Sequence, residues 1–165
     1  MAGALTGEAW TARQMTEHEM TEVRTAGPIH DEQWARERMD SMVSRFLAAG
    51  IVDCELVEAR PAWAWPWKIL IARIREQGDD SRSYWLIDDD GLFDCIDSGV
   101  ASTPRQAARH FSLKWHLEAA RLRDRVKQKG SDNGSGQTVE ARYLALEKSA
   151  ETLSKLVNED SLWPA

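Results

Sequence analysis

Apolar and polar residues recur with two different periods along the chain, and the change of period predicts the fold. From Asp31 to Ala49, apolar side chains return every three or four residues, which is the spacing of one helix face. Asp31 is the predicted N-cap. Gly50 supplies the left-handed residue that commonly ends a helix. The predicted buried stripe comprises Ala35, Met39, Met42, Val43, Phe46 and Leu47.

A pattern rich in β-branched and aromatic residues replaces the helical one after residue 51. Pro61 interrupts its first part. Because proline donates no ladder hydrogen bond, Pro61 and Pro66 place the segment between them at a sheet edge or a bulge. Clusters of Gly, Asp and Ser mark hairpin turns, so we expect an antiparallel meander of three or four strands. The predicted strands cover residues 51–58, 67–74, 83–88 and 92–96.

Two helices are predicted after the meander. The run 103–106 (Thr-Pro-Arg-Gln) combines an N-cap hydroxyl, a proline at the first helical position and a capping-box Gln. The helix that starts there is predicted to reach Lys129, and Thr138 caps the last one. The fold class is therefore α+β, with the long helix expected to pack on the sheet.

This reading divides the chain into four parts. Residues 1–29 lack a sustained apolar period and are predicted to form a disordered tail. An α+β domain follows over 30–129, then a flexible Gly- and Ser-rich linker over 130–137 and a C-terminal helix over 138–165. The final helix is amphipathic, so a homodimer that pairs it across a two-fold axis is one expected assembly.

Composition restricts the place and the chemistry of the protein. No apolar run approaches the ~20 residues of a membrane span, and the first residues do not have the pattern of a secretion signal. Cys54 and Cys95 stand alone, as reduced cytoplasmic thiols do. Asp88–Asp90 lacks the ligand spacing of a calcium loop. We therefore expect a cytoplasmic protein without a cofactor, a metal site or a catalytic motif.

Charge is distributed unevenly. Residues 78–99 carry seven Asp and one Arg, whereas residues 104–129 carry eight basic and two acidic side chains. The net charge of the whole chain is −6, which argues against nucleic-acid binding by the basic helix. An acidic hairpin would attract a basic partner over a distance.

Eight tryptophans are a large number for a chain of 165 residues. Trp63, Trp65 and Trp67 alternate, so in an extended segment their rings would project to one side. Two interpretations stay open, since the rings either fill the core or form an exposed aromatic patch. The candidate partner-binding residues are Trp63, Trp65, Trp67, Asp88, Asp89, Asp90 and Asp94.

A set of short motifs runs through this part of the chain. It comprises Pro61-Ala62-Trp63, Tyr84-Trp85-Leu86-Ile87, Ser102-Thr103-Pro104-Arg105-Gln106-Ala107 and the pair Phe111 and Trp115. Over about residues 31–120 these motifs resemble a bacterial domain-of-unknown-function family, numbered 4826. The resemblance implies the fold and a bacterial origin, and it brings no activity. The acidic Asp88–Asp90 turn and an extra C-terminal helix are expected departures from the family.

Two classes of function follow from these features. The first is a protein-interaction module, such as an immunity or antitoxin-like protein, that binds through an acidic and Trp-rich surface. The alternative is a small-molecule-binding protein or enzyme, in which Arg109, His110 or Asp97 supplies polar groups to an apolar pocket. The rings that would line such a pocket are Trp63, Trp65, Trp67, Trp85 and Trp115.

Overall fold

The structure is a computed structural model that describes residues 32–52, 57–65, 67–77, 82–129 and 135–164. The predicted disordered tail and the predicted N-cap Asp31 lie outside the described residues. The chain divides into two compact units, one that extends to Pro104 and one from Arg105 to Trp163.

Within the described residues, the first unit contains one helix and one sheet. Its elements are α1 (Glu32–Ala48), β1 (Val57–Trp65), β2 (Ile69–Glu76), β3 (Ser83–Asp89), β4 (Leu92–Asp97) and a 3-10 turn (Ser98–Val100). Each strand pairs antiparallel with its neighbour in sequence, in the order β1-β2-β3-β4. The predicted α+β class and meander are confirmed, and the meander has four strands.

Helix α1 packs its apolar stripe on one face of the sheet. The stripe predicted from sequence is buried, with Leu47 only partly covered, and Trp34 joins it. Opposite it lie Ala64 and Leu70 at one end and Leu86 in the middle of the sheet. The helix ends at Ala48, and Gly50 follows with a φ of 66°, as the sequence predicts.

Strand β1 is an edge strand that contains Pro61 and a bulge. Pro61 therefore does not interrupt the strand, but the predicted edge and bulge are confirmed. The pairing with β2 shifts between Pro61 and Trp63, so the extra residue changes which positions face α1. Ala59 precedes the bulge and Ala64 follows it, and both face α1. Trp63 consequently lies on the opposite face, where it is buried beside Ile71.

The second unit is an antiparallel pair of helices, α2 (Pro104–Lys129) and α3 (Ser135–Val157), followed by a 3-10 turn (Asp160–Leu162). The Ser112 hydroxyl donates to the carbonyl of Ala150 at 2.8 Å, and Arg105 Nε donates to that of Val157 at 2.9 Å. Helix α2 begins at Pro104, as predicted. Residues 135–137 of the predicted linker belong to α3, and residues 130–134 lie outside the described chain.

The core beneath α1 predicts the cost of truncating one of its side chains. Met39 is fully buried, so Met39→Ala should lower the free energy of unfolding by about 2–5 kcal/mol. Ser44→Ala on the exposed side of α1 should change it by less than ~0.5 kcal/mol. Urea denaturation followed by circular dichroism measures both, and equal midpoints for the two variants would contradict this packing.

Candidate functional site

Two turns meet at one end of the sheet. The β1–β2 turn carries Trp67 and Lys68, and the β3–β4 turn consists of Asp90 and Gly91. The backbone N–H of Asp90 donates to the carbonyl of Lys68 at 3.0 Å, which joins the two turns. Arg45 of α1 reaches the same place, because its Nη1 donates to the carbonyl of Gly91 at 3.0 Å. We call these five residues the turn-end patch.

Trp67 is the most exposed large apolar side chain in the described part of the chain, with 60% of its surface accessible. Its φ is 62°, a left-handed conformation that costs a non-glycine residue roughly 1–2 kcal/mol. Its ring lies 6.1 Å from that of buried Trp34, with the planes tilted by 42°. One side of the indole is therefore held by α1 while much of the ring faces solvent.

A buried ionic cluster lies beneath the patch. Asp88 is only 1% exposed, and its carboxylate accepts hydrogen bonds from Arg38 and, at 3.3 Å, from Nη1 of Arg45. The N–H of Gly91 also donates to it, at 3.3 Å. The Arg38 guanidinium lies over the Trp34 ring at 5.5 Å. Helix α1 is thereby joined to the β3–β4 turn through ion pairs and to the β1–β2 turn through the contact between the Trp34 and Trp67 rings.

The four acidic candidates occupy different environments. Strand β3 runs to Asp89, so Asp88 faces α1 and Asp89 faces the other side of the sheet, where it is 3% exposed. Asp90 alone is an exposed turn residue, with a φ of 49°. Asp94 is half-buried in β4 and accepts the N–H of Cys95 at 2.8 Å. The expected solvated acidic turn is therefore reduced to Asp90.

The three alternating tryptophans do not share an environment either. Trp63 is fully buried and Trp65 is half-buried, while Trp67 lies beyond the end of the strand. The expectation of one common side was wrong for Trp67, because the strand ends at Trp65 and a left-handed residue follows in the turn. Of the candidate residues, the structure brings together Trp67, Asp88 and Asp90 at the turn end.

Trp85 and Trp115 are two of the rings proposed to line an apolar pocket. Trp85 is buried, donates Nε1–H to the carbonyl of Ala101 at 2.8 Å, and carries Arg73 over its ring at 5.5 Å. In the second unit, Trp115 is buried and lies 6.1 Å from Phe111. These contacts are those of packed side chains, so the pocket stays a prediction without an observation that favours it.

Several residues of the site were missed in the sequence. Arg38 and Arg45 are seven positions apart on α1, so they lie two turns apart on the same side of the helix. That spacing, at the border of an apolar stripe, was the available signal. Trp34 was also overlooked, although it stands one position before Ala35 of the predicted stripe. Nothing in the sequence identified Lys68.

In the residues that the structure describes, no group of three or more His, Cys, Asp or Glu side chains is placed to hold a metal ion. Among the helices of the same residues, none combines the length and the apolar character needed to cross a membrane. Cys95 is half-buried in β4, and Cys54 lies outside the described residues.

Comparison with known proteins places the chain in a family of undescribed activity. Residues 29–163 match the family described as Domain of unknown function (DUF4826), and the chain belongs to it. The match continues to residue 163, so the expectation that the C-terminal helix is an addition to the family was wrong. No curated protein and no solved structure matches the chain.

The buried carboxylate predicts a contrast between two adjacent acids. Asp88→Asn removes the charge that compensates Arg38 and Arg45, and should lower the free energy of unfolding by about 3 kcal/mol. Asp90→Asn makes the same chemical change at an exposed turn position that Asn tolerates, so it should cost less than ~0.5 kcal/mol. Urea is the suitable denaturant because guanidinium would screen the charges. Equal losses of unfolding free energy in the two variants would show that Asp88 does not hold the β3–β4 turn.

Proposed function

We propose that this protein is a protein-interaction module of the bacterial cytoplasm, and that it binds its partner through the turn-end patch. The observation that carries the proposal is Trp67, whose large apolar ring is 60% exposed on a left-handed backbone. Folding alone favours glycine at such a position, since glycine adopts positive φ without steric cost. A tryptophan there has a cost for the fold that a contact with another molecule explains.

The neighbours of Trp67 support a binding role. Tryptophan and arginine are the residue types most enriched among those that dominate binding energy at interfaces, and Arg45 adjoins the same turns. The Trp34 ring supports the Trp67 ring from below. A ring that is already held in place loses little entropy on binding, which favours affinity.

The predicted immunity or antitoxin-like role is one specific form of this proposal. It predicts that the partner is a toxin, whose activity the chain blocks by covering a functional surface. The family match contributes no activity with which to choose among partners. The identity of the captured protein decides this point.

The proposal is tested by photo-crosslinking inside the source cells. A benzophenone amino acid at Lys68 lies beside Trp67 and should yield one discrete crosslinked protein. The same amino acid at Glu140, an exposed position of α3, should not yield it. Adding Trp67→Gly to the Lys68 variant should abolish the product. A product that survives Trp67→Gly, or that forms equally at Glu140, would count against the patch.

The same substitution predicts that Trp67 is not needed for folding. Trp67→Gly relieves the left-handed strain and loses a partial contact with Trp34, so stability should change by no more than about 1 kcal/mol. Trp63→Gly removes a fully buried ring and should cost at least about 3 kcal/mol. Thermal unfolding of both variants checks this. A large loss for Trp67→Gly would mean that the ring is there for stability.

A further inference from the structure

We infer that the partner presents a carboxylate next to an apolar side chain, as in an extended or helical acidic peptide segment. The inference rests on the proposed function, because it specifies the chemistry of what binds the turn-end patch. It departs from the basic partner that the acidic sequence of the hairpin suggests. The reasons lie in which charges of this surface reach solvent.

Two adjacent carboxylates of the hairpin, those of Asp88 and Asp89, are buried in the fold. Asp88 is buried against Arg38, whose side chain is only 18% exposed, and it also pairs with Arg45, so two guanidinium groups share one buried carboxylate. Asp89 is buried on the opposite face of the sheet. What remains at the surface is one carboxylate, that of Asp90, and two cations, Arg45 and Lys68. The exposed charge of the patch is therefore positive.

Arg45 is positioned to bind a carboxylate by donating hydrogen bonds to it. The Arg45 side chain makes two hydrogen bonds with described residues. Its Nη1 donates both of them, one to the Asp88 carboxylate and one to the carbonyl of Gly91. Its Nη2 and Nε groups make none within that part of the chain, and the side chain is 42% exposed. Its guanidinium lies over the Phe93 ring at 6.0 Å, which adds a third contact to the side chain. A guanidinium held in this way can donate two parallel hydrogen bonds to one carboxylate.

Trp67 supplies the surface that would contact the apolar side chain of the partner. Trp67 and Arg45 are connected across the two turns through Lys68, Asp90 and Gly91. A ligand that covers the whole patch would contact both an indole and a guanidinium. A basic ligand would instead desolvate Arg45 and Lys68 against like charge, which disfavours binding.

The probe is a phage-displayed library of random peptides of roughly twelve residues, selected on the immobilised full-length protein. We expect the recovered peptides to combine Asp or Glu with an aromatic or aliphatic residue. Synthetic copies should bind at least about tenfold more weakly to Arg45→Gln. Lys68→Gln leaves the contacts of Asp88 intact and should weaken binding severalfold. Arg75 is an exposed cation on β2, so Arg75→Gln is the matched control and should leave the affinity for the peptides unchanged.

The outcomes separate this inference from the proposed function. Acidic peptides that lose affinity in Trp67→Gly, Arg45→Gln and Lys68→Gln support both. Basic or uncharged peptides that depend on Trp67 but not on the two cations overturn the acidic ligand and leave the proposed function standing. Recovery of no peptide, or of peptides indifferent to Trp67→Gly, overturns both.

Discussion

The ion pairs of Asp88 fix how the first unit is assembled. A carboxylate that is 1% exposed cannot be solvated by water, so it has to be compensated by groups from another element. Arg38 and Arg45, both from α1, fulfil this requirement, and the N–H of Gly91 adds a third donor. Hydrophobic contact is non-directional, whereas these ion pairs are directional and add a preference for one position of α1 on the sheet.

The geometry of the turn-end patch depends on the position of α1 on the sheet. Arg38 contacts both the Asp88 carboxylate and the Trp34 ring, and Trp34 in turn contacts Trp67. A displacement of α1 would therefore move the support of the indole together with the guanidinium of Arg45. The proposed interface consists of side chains from three separate segments, which α1 aligns. Binding residues on a turn gain order when a rigid element fixes them in this manner.

Much of the fold was predictable because its signals are local. The stripe of α1, the start of α2 at Pro104 and the turn at Asp90-Gly91 each follow from a few adjacent residues. The faces of β1 were not predictable, since a bulge that alternation does not reveal changes them beyond Pro61. The site was harder to predict from the sequence than the faces of β1. Its ion pairs join residues 43 and 50 positions apart, and a single unaligned sequence gives no sign of such pairing.

At the turn end, the charge of the surface differs from the charge of the sequence segment. The hairpin is acidic along the chain, but its most central carboxylate is neutralised by two arginines of α1. In the second unit the ion pairs involve exposed carboxylates instead, as Arg105 pairs with Asp160 of the closing turn and Arg123 with Glu147 of α3. Net charge along a segment predicts steering only when its side chains reach solvent. At the turn end, Arg45 and Lys68 reach it with Asp90, so the local surface has the opposite sign from the segment that supplies half of it.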